Sequence, residues 1–166
     1  MNARRILKHL LTPDWVARRV FPRAVLSRIQ EAIRESEKSH DGELRFAVEA
    51  GLDFLPLWKG ITPRQRALEA FSMLRVWDTE RNSGVLIYLQ LVDRDIEIVA
   101  DRGIGAKVGQ DAWDAICRRM ESAFRARRFE EGVLEGIREI TALLVAHFPA
   151  RGPNTDELPD RPVVLD

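Results

Sequence analysis

The sequence predicts an α/β fold, a three-layer α/β/α sandwich on a small mixed β-sheet with an antiparallel hairpin at its edge. The first observation is an apolar run at residues 85–92, which is typical of a strand buried on both faces. The second is a short polar turn after this run, followed by an alternating strand at residues 96–101. Strands joined so closely pair antiparallel. A strand at residues 44–49 reaches the hairpin through a helix and is expected to pair parallel, and its alternating charged residues indicate one less completely covered face.

Four amphipathic helices are expected to cover the two faces of this sheet. Their apolar residues recur every three or four positions, at residues 23–39, 63–76, 110–128 and 129–147. Thr62 and Pro63 favour a helix start, the former as N-cap and the latter as first helical residue. Leu68 on this helix is predicted to face inward. Residues 51–60 are interpreted as a loop whose large apolar side chains cover either the core or a ligand, with the core favoured.

The chain divides into three parts. Residues 1–22 form a basic amphipathic N-terminal segment, residues 23–149 form the α/β/α domain, and residues 150–166 form an acidic, proline-rich tail. Residues 1–28 hold seven Arg or Lys against one acid, Asp14. Two interpretations of the N-terminal segment stay open: it binds an anionic membrane surface or a partner protein, or it folds onto the domain. The tail is interpreted as disordered or loosely docked.

The composition is that of one folded domain without a strong overall charge. The 166 residues include 26 Arg or Lys and 26 Asp or Glu, so no net field favours nucleic acid as a partner. Cys117 is the only cysteine, which excludes an intramolecular disulfide, and its apolar neighbours indicate a small core residue. No stretch approaches the ~20 apolar residues of a transmembrane segment, and no signal peptide is recognisable. The expected location is therefore the cytoplasm, where the basic segment could hold the protein against the inner membrane.

Polar residues that lie far apart in the sequence are expected to meet at the base of the hairpin. Asp78 and Asn82 precede its first strand, and Asp101 and Arg102 follow its second. The carboxylates of Asp78 and Asp101 and the Asn82 amide could supply oxygen ligands to Ca²⁺ or Mg²⁺. Arg102 could act as the electrophile that binds a phosphate oxygen. A metal with an arginine is the minimum for metal-assisted phosphoester hydrolysis.

A purely structural interpretation of the same residues stays open. In it, Asp78 caps a turn and Asn82 shapes the start of the strand. Asp101 then pairs with Arg102 or with Arg81, and none of these side chains binds a ligand.

No other catalytic pattern is apparent. His9, His40 and His147 form no metal-binding pair, and the chain has no GxSxG motif. Asp93 is interpreted as a residue of the hairpin turn. An activated nucleophile and a general base therefore cannot be named.

An ordered series of short motifs spans residues 24–148. Up to the first hairpin strand it reads Leu74-Arg75-Val76-Trp77-Asp78-Thr79 and Asn82-Ser83-Gly84-Val85-Leu86-Ile87-Tyr88. It continues with Asp93-Arg94, Ile96-Glu97-Ile98, Asp101-Arg102-Gly103-Ile104, Trp113, Met120, Phe124 and Gly132. Together with the predicted order of helices and strands, this series resembles the TPM domain family.

The resemblance implies several lines of function. Similar family members include thylakoid proteins associated with photosystem repair, with reported phosphatase activity, and animal membrane-receptor accessory proteins. Some TPM domains bind calcium through acidic residues, and most relatives are exported and carry a transmembrane tail, features that this sequence does not show. It also differs from the family at Ser83, where Asn is more usual, and at Gln110, where an acid is expected and Asp111 is adjacent.

Two functional hypotheses follow. The first is an interaction or accessory module with a protein partner in a membrane-associated complex, contacted through the basic N-terminal segment. The second is a weak phosphatase that depends on a divalent metal at the base of the hairpin. The first is favoured because no nucleophile or general base can be named. No cofactor other than Ca²⁺ or Mg²⁺ is expected.

Overall fold

The computed structural model describes residues 3–152 and 157–165. Residues 1, 2, 153–156 and 166, which belong to the N-terminal segment and the tail, lie outside this description. The helices are α1 (Ala3–Leu10), α2 (Trp15–Val20), α3 (Arg23–Glu37), α4 (Phe54–Trp58), α5 (Pro63–Met73), α6 (Arg102–Gly105), α7 (Gln110–Arg125) and α8 (Phe129–His147). The strands are β1 (Glu43–Glu49), β2 (Gly84–Gln90), β3 (Asp95–Ala100) and β4 (Val163–Leu165).

The four strands form one mixed sheet in the order β3-β2-β1-β4. β1 and β2 pair parallel, with Glu43 opposite Gly84, and β2 and β3 pair antiparallel. The predicted parallel pair and the antiparallel edge hairpin are therefore confirmed. β4 was not predicted: it runs parallel to β1 and covers the edge that the hairpin leaves open.

Helices cover both faces of the sheet, which confirms the α/β/α sandwich. The larger apolar cluster lies between one face and α2, α3, α7 and α8, and the smaller cluster lies between the opposite face and α5. Successive side chains of a strand point to opposite faces of the sheet, so the two clusters contain alternate residues of each strand. Ile87, for example, belongs to the larger cluster and Tyr88 to the smaller. Cys117 lies in the larger cluster, where burial raises the pKa of its thiol to about 12 and disfavours the thiolate.

The prediction that one face of β1 is less completely covered was wrong. Glu43, Arg45 and Glu49 are all buried. Glu49 accepts hydrogen bonds from Arg66 on α5 (2.6 Å) and from the Tyr88 hydroxyl. Glu43 accepts from the backbone N–H of Leu158 in the tail (3.2 Å), and Arg45 donates to the Pro159 carbonyl. Polar partners on α5 and on the tail thus cover this face, so residues 157–165 are docked rather than disordered.

The segment at residues 51–60 contains a short helix, α4, and faces outward more than predicted. Leu57 is buried, but Phe54, Leu55 and Trp58 are exposed, so the expectation that this segment covers the core was wrong for these three. Leu68 on α5 is likewise exposed, not inward.

Candidate functional site

The base of the hairpin brings together the two ends that the sequence predicts to converge. The Asp101 N–H donates to the Gly84 carbonyl (2.8 Å), and the Gly103 N–H donates to the Asn82 carbonyl (3.1 Å). The preceding loop is closed by the Thr79 hydroxyl, which accepts from the Ser83 N–H (2.9 Å). Asn82 adopts a φ of 51°, in the left-handed region that asparagine tolerates better than most residues.

Three of the four predicted site residues are in contact. The Arg102 Nε donates to the Asn82 Oδ1 (3.0 Å). The Asp101 Oδ1 accepts from the Arg102 N–H (2.7 Å) and so caps α6, while the Asp101 Oδ2 is buried without a hydrogen-bond partner among the described residues. This orphaned carboxylate oxygen is the one feature of the group that a cation could use directly.

The fourth residue, Asp78, is directed elsewhere. Its carboxylate is exposed and accepts from the Arg75 Nη2 (2.5 Å), and Arg81 pairs with Asp41 rather than with Asp101. Among residues 3–152 and 157–165, no group of three or more His, Cys, Asp or Glu side chains is placed to hold a metal ion. As arranged, Asp101 offers one uncommitted oxygen and Asp78 is turned toward Arg75, whereas Ca²⁺ takes six to eight ligands and Mg²⁺ six. The arrangement described here therefore does not fit a metal site.

A buried Ser–His pair elsewhere in the domain has the contacts of a structural network. The His40 Nδ1 accepts from the Gly42 N–H (3.1 Å), so the proton lies on Nε2, which donates to the Ser36 hydroxyl (2.7 Å). Ser36 in turn contacts the Thr141 hydroxyl (2.6 Å). Burial lowers the pKa of His40 to about 4, against an opposing hydrogen bond from Gly42. A histidine that donates to the serine cannot take its proton, so this pair links α3 to α8 and is not a nucleophile with its base.

A polar cluster that sequence reasoning missed fixes α1 to the domain. The Asp93 Oδ2 accepts from the Arg5 Nε (2.9 Å) and from the His9 Nε2 (3.2 Å), and the His9 Nδ1 accepts from the Leu52 N–H (3.0 Å). Burial alone would raise the pKa of Asp93, but the hydrogen bonds from His9 and Arg5 outweigh it and hold the pKa at about 2. Asp93 is therefore an anchor and not only a turn residue. The signal available in the sequence was the spacing of Arg5 and His9, four residues apart on one helix face.

With its polar side anchored, α1 presents its apolar side to solvent. It packs against α4, and six large apolar side chains of these helices and of the residue after α1 are exposed: Leu7, Leu10, Leu11, Phe54, Leu55 and Trp58. We call this set the α1–α4 apolar surface. Leu11 is 72% exposed and Leu55 is 67% exposed, and the rings of Phe54 and Trp58 lie 5.7 Å apart. Exposed apolar patches on this scale indicate a contact surface.

Basic residues are frequent in the sequence near α1 and α4. Residues 3–23 contain six Arg or Lys (Arg4, Arg5, Lys8, Arg18, Arg19 and Arg23) against Asp14, and Lys59 follows α4. The N-terminal segment is folded onto the domain, as one of the two interpretations expected: Ala17 and Phe21 are buried in the larger apolar cluster, whereas α1 turns its apolar side outward. The surface pairs apolar side chains with positive charge.

Comparison with known proteins places this architecture in a family. The family model described as the TPM domain matches residues 17–143. The chain belongs to the TPM domain family. The solution structure of the BA42 protein from the psychrophilic bacterium Bizionia argentinensis is similar, with 30% sequence identity, a TM-score of 0.74, and coverage of 84% of this chain and 92% of that chain. No curated protein matches the chain significantly.

A second solved structure is similar in fold. It is the solution structure of the N-terminal domain of a protein from P. gingivalis, with 18% identity, a TM-score of 0.61, and coverage of 82% of this chain and 90% of that domain. The TPM match includes the hairpin base but leaves out α1 and β4. None of the described helices of this TPM protein is long and apolar enough to cross a membrane.

Proposed function

We propose that this TPM domain protein is an interaction module that docks through its α1–α4 apolar surface onto a protein of a membrane-associated complex. The observation that supports this most directly is the orientation of α1. Arg5 and His9 hold its polar side against Asp93, which leaves Leu7, Leu10 and Leu11 facing solvent. A helix that served only the stability of the domain would bury those leucines.

The energetics of exposure favour a partner. Burying a large apolar side chain is worth about 1.5–3 kcal/mol relative to leaving it in water. Six such side chains lie on two helices that pack together, so a complementary partner gains from covering them. The basic residues near α1 and α4, such as Lys8 and Lys59, would steer the module toward an acidic partner or an anionic membrane face.

The test is sedimentation of the protein with native membranes, using the double variant Leu55→Glu/Trp58→Glu. Both side chains are exposed, so the variant should fold, and we expect its membrane-bound fraction to fall at least about tenfold because two buried contacts become charged. Prior protease treatment of the membranes should remove the binding of the wild type as well. Leu68→Glu, at another exposed apolar position on α5, serves as the control and should bind normally. Equal sedimentation of wild type and double variant would contradict the proposal.

A second candidate function is the metal-dependent phosphatase. One observation favours it: the buried Asp101 Oδ2 has no hydrogen-bond partner among the described residues, and Arg102 lies beside it. In this candidate the Asp101 carboxylate with the Asn82 amide would hold Ca²⁺ or Mg²⁺, and Asp78 would have to leave Arg75 to join them. Arg102 would bind a phosphate oxygen once it releases Asn82, and an ion held there would supply Lewis-acid chemistry.

Thermal unfolding in the presence of Ca²⁺ or Mg²⁺ tests this candidate. A metal that binds only the folded state stabilises it by about 2.7 kcal/mol at a hundredfold excess over its Kd, and Asp101→Asn should abolish that gain. Asparagine also caps helices well, so the variant keeps its cap on α6. Glu31→Gln, at an exposed acid on α3, is the control. No shift at millimolar metal, or an equal shift in Asp101→Asn, counts against the candidate.

A further inference from the structure

A groove of about 1090 Å³ lies between the α2–α3 junction and the docked tail. Its lining combines guanidinium groups with apolar side chains. Four arginines line it, and no acidic side chain among the described residues does: Arg18, Arg23, Arg45 and Arg161. The apolar part of the lining includes Leu26 on α3 and Val163 and Val164 on β4. The tail forms one wall, so the groove exists only because β4 adds to the edge of β1.

One of these arginines is almost completely buried. Arg45, on β1, is 7% exposed, and its Nη1 donates to the Pro159 carbonyl. Its Nε has no hydrogen-bond partner among the described residues. Burial lowers the pKa of Arg45, and the neighbouring Asp160 and Glu37 only partly offset this effect. A buried guanidinium with incomplete pairing is costly unless an anion satisfies it.

The two acids beside Arg45, Glu37 and Asp160, lie outside the lining of the groove. Burial raises the pKa of Glu37 and so favours the neutral form of this carboxyl. Asp160 pairs with Arg34, whose Nε lies 3.3 Å from its Oδ2. Asp160 thus has a partner outside the groove, and the lining formed by the described residues contains arginines and no acid.

We propose that this groove binds a phosphate ester that carries an aliphatic portion. A carboxylate has two acceptor oxygens on one side, whereas a phosphate monoester has three that point in different directions and can accept from several guanidinium groups at once. The phosphate lies among the arginines, and the aliphatic portion packs against Leu26, Val163 and Val164. Soluble glycerol phosphates and phospholipid headgroups share this chemistry. The site is separate from the α1–α4 apolar surface and does not depend on the proposed docking function.

The probes are sn-glycerol 3-phosphate, followed by calorimetry, and vesicles of phosphatidylglycerol in phosphatidylcholine, followed by flotation, both at constant ionic strength. The test variants are Arg23→Ala and Arg161→Ala of the full chain, because both side chains are exposed and their removal leaves Arg45 in place. Arg118→Ala, an exposed arginine on α7, is the control for general charge. We expect saturable binding by the wild type and about tenfold weaker binding by each test variant, the loss of one charge-assisted hydrogen bond.

The pattern across probes identifies the source of the phosphate. Weakened binding of the soluble ester supports a small-molecule site, and weakened binding of vesicles alone supports a lipid headgroup site. The proposal is overturned if neither probe binds saturably, or if Arg118→Ala weakens binding as much as the test variants do. It is also overturned if both arginine variants bind the soluble ester and the vesicles as the wild type does; loss of vesicle binding only in Leu55→Glu/Trp58→Glu would then assign the vesicles to the α1–α4 apolar surface.

Discussion

Replacing Gly84 with alanine is expected to lower the free energy of unfolding by more than about 3 kcal/mol. A Cβ at this position would lie 1.9 Å from the carbonyl oxygen of Val76 and 2.9 Å from its carbonyl carbon. These are backbone atoms, so no change of rotamer can relieve the overlap. Gly84 also begins β2, where it pairs with Glu43 and accepts from the Asp101 N–H, so a shift of its backbone would disturb both neighbouring strands.

Urea unfolding of the Gly84→Ala variant measures this loss. Gly105→Ala is the matched control, since a Cβ there meets no atom within 4 Å. That control should change stability by less than about 1 kcal/mol, and in the stabilising direction if it changes at all. Near-equal stability of Gly84→Ala and the wild type would show that the 76–84 loop can move away from β2, contrary to the close approach described here.

Raising the pH from 5 to 8 is expected to destabilise the protein through Glu37. Burial raises the pKa of this carboxyl from 4.5 to about 9, against an opposing hydrogen bond from the Leu44 N–H, and the nearby carboxylates of Glu43 and Asp160 raise it further. Between pH 4.5 and 9 the folded state therefore keeps a proton that the unfolded state has lost. Stability falls as pH rises through this window, with a slope of up to about 1.4 kcal/mol per pH unit.

The variant Glu37→Gln isolates this contribution. Glutamine imitates the protonated carboxyl: it accepts from the Leu44 N–H and can donate to Asp160. We expect it to be more stable than the wild type at pH 8 and to show a flatter dependence on pH, measured by chemical unfolding at each pH. Glu35→Gln, at an exposed position two residues earlier on α3, should leave the wild-type slope unchanged. A wild-type slope retained in Glu37→Gln would assign the pH dependence to other groups.

The hairpin and its site were predictable because their signals are local. The apolar run of β2, the short turn and the alternation of β3 require antiparallel pairing, and that pairing brings Asn82 to Arg102. What the sequence could not supply was the direction of each polar side chain at the base. Asp78 had Arg75 within reach three residues earlier, and this local pair took it away from Asp101. The assignment of a metal to these residues stays a prediction.

The N-terminal segment shows where local pattern was insufficient. Its amphipathic character was evident, but an amphipathic helix can dock by either face. Asp93, in a turn more than eighty residues away, decides the matter by pairing with Arg5 and His9. Leu7 and Leu10 are consequently exposed, together with Phe54, Leu55 and Trp58 on α4.

By itself, then, the sequence determined the three-layer fold, the central strands β1, β2 and β3 and the TPM family, since these depend on periodicity, turns and motifs within short stretches. Only the tertiary structure decided how the two ends of the chain are used. The tail carries too few apolar residues to predict a strand, yet the open edge of β1 gives its backbone groups partners at β4. That docking buries Arg45 and forms one wall of the groove that Arg18, Arg23, Arg45 and Arg161 line. Such long-range pairings of charged and backbone groups leave no periodic signal in the sequence, because each partner is supplied by a distant part of the chain.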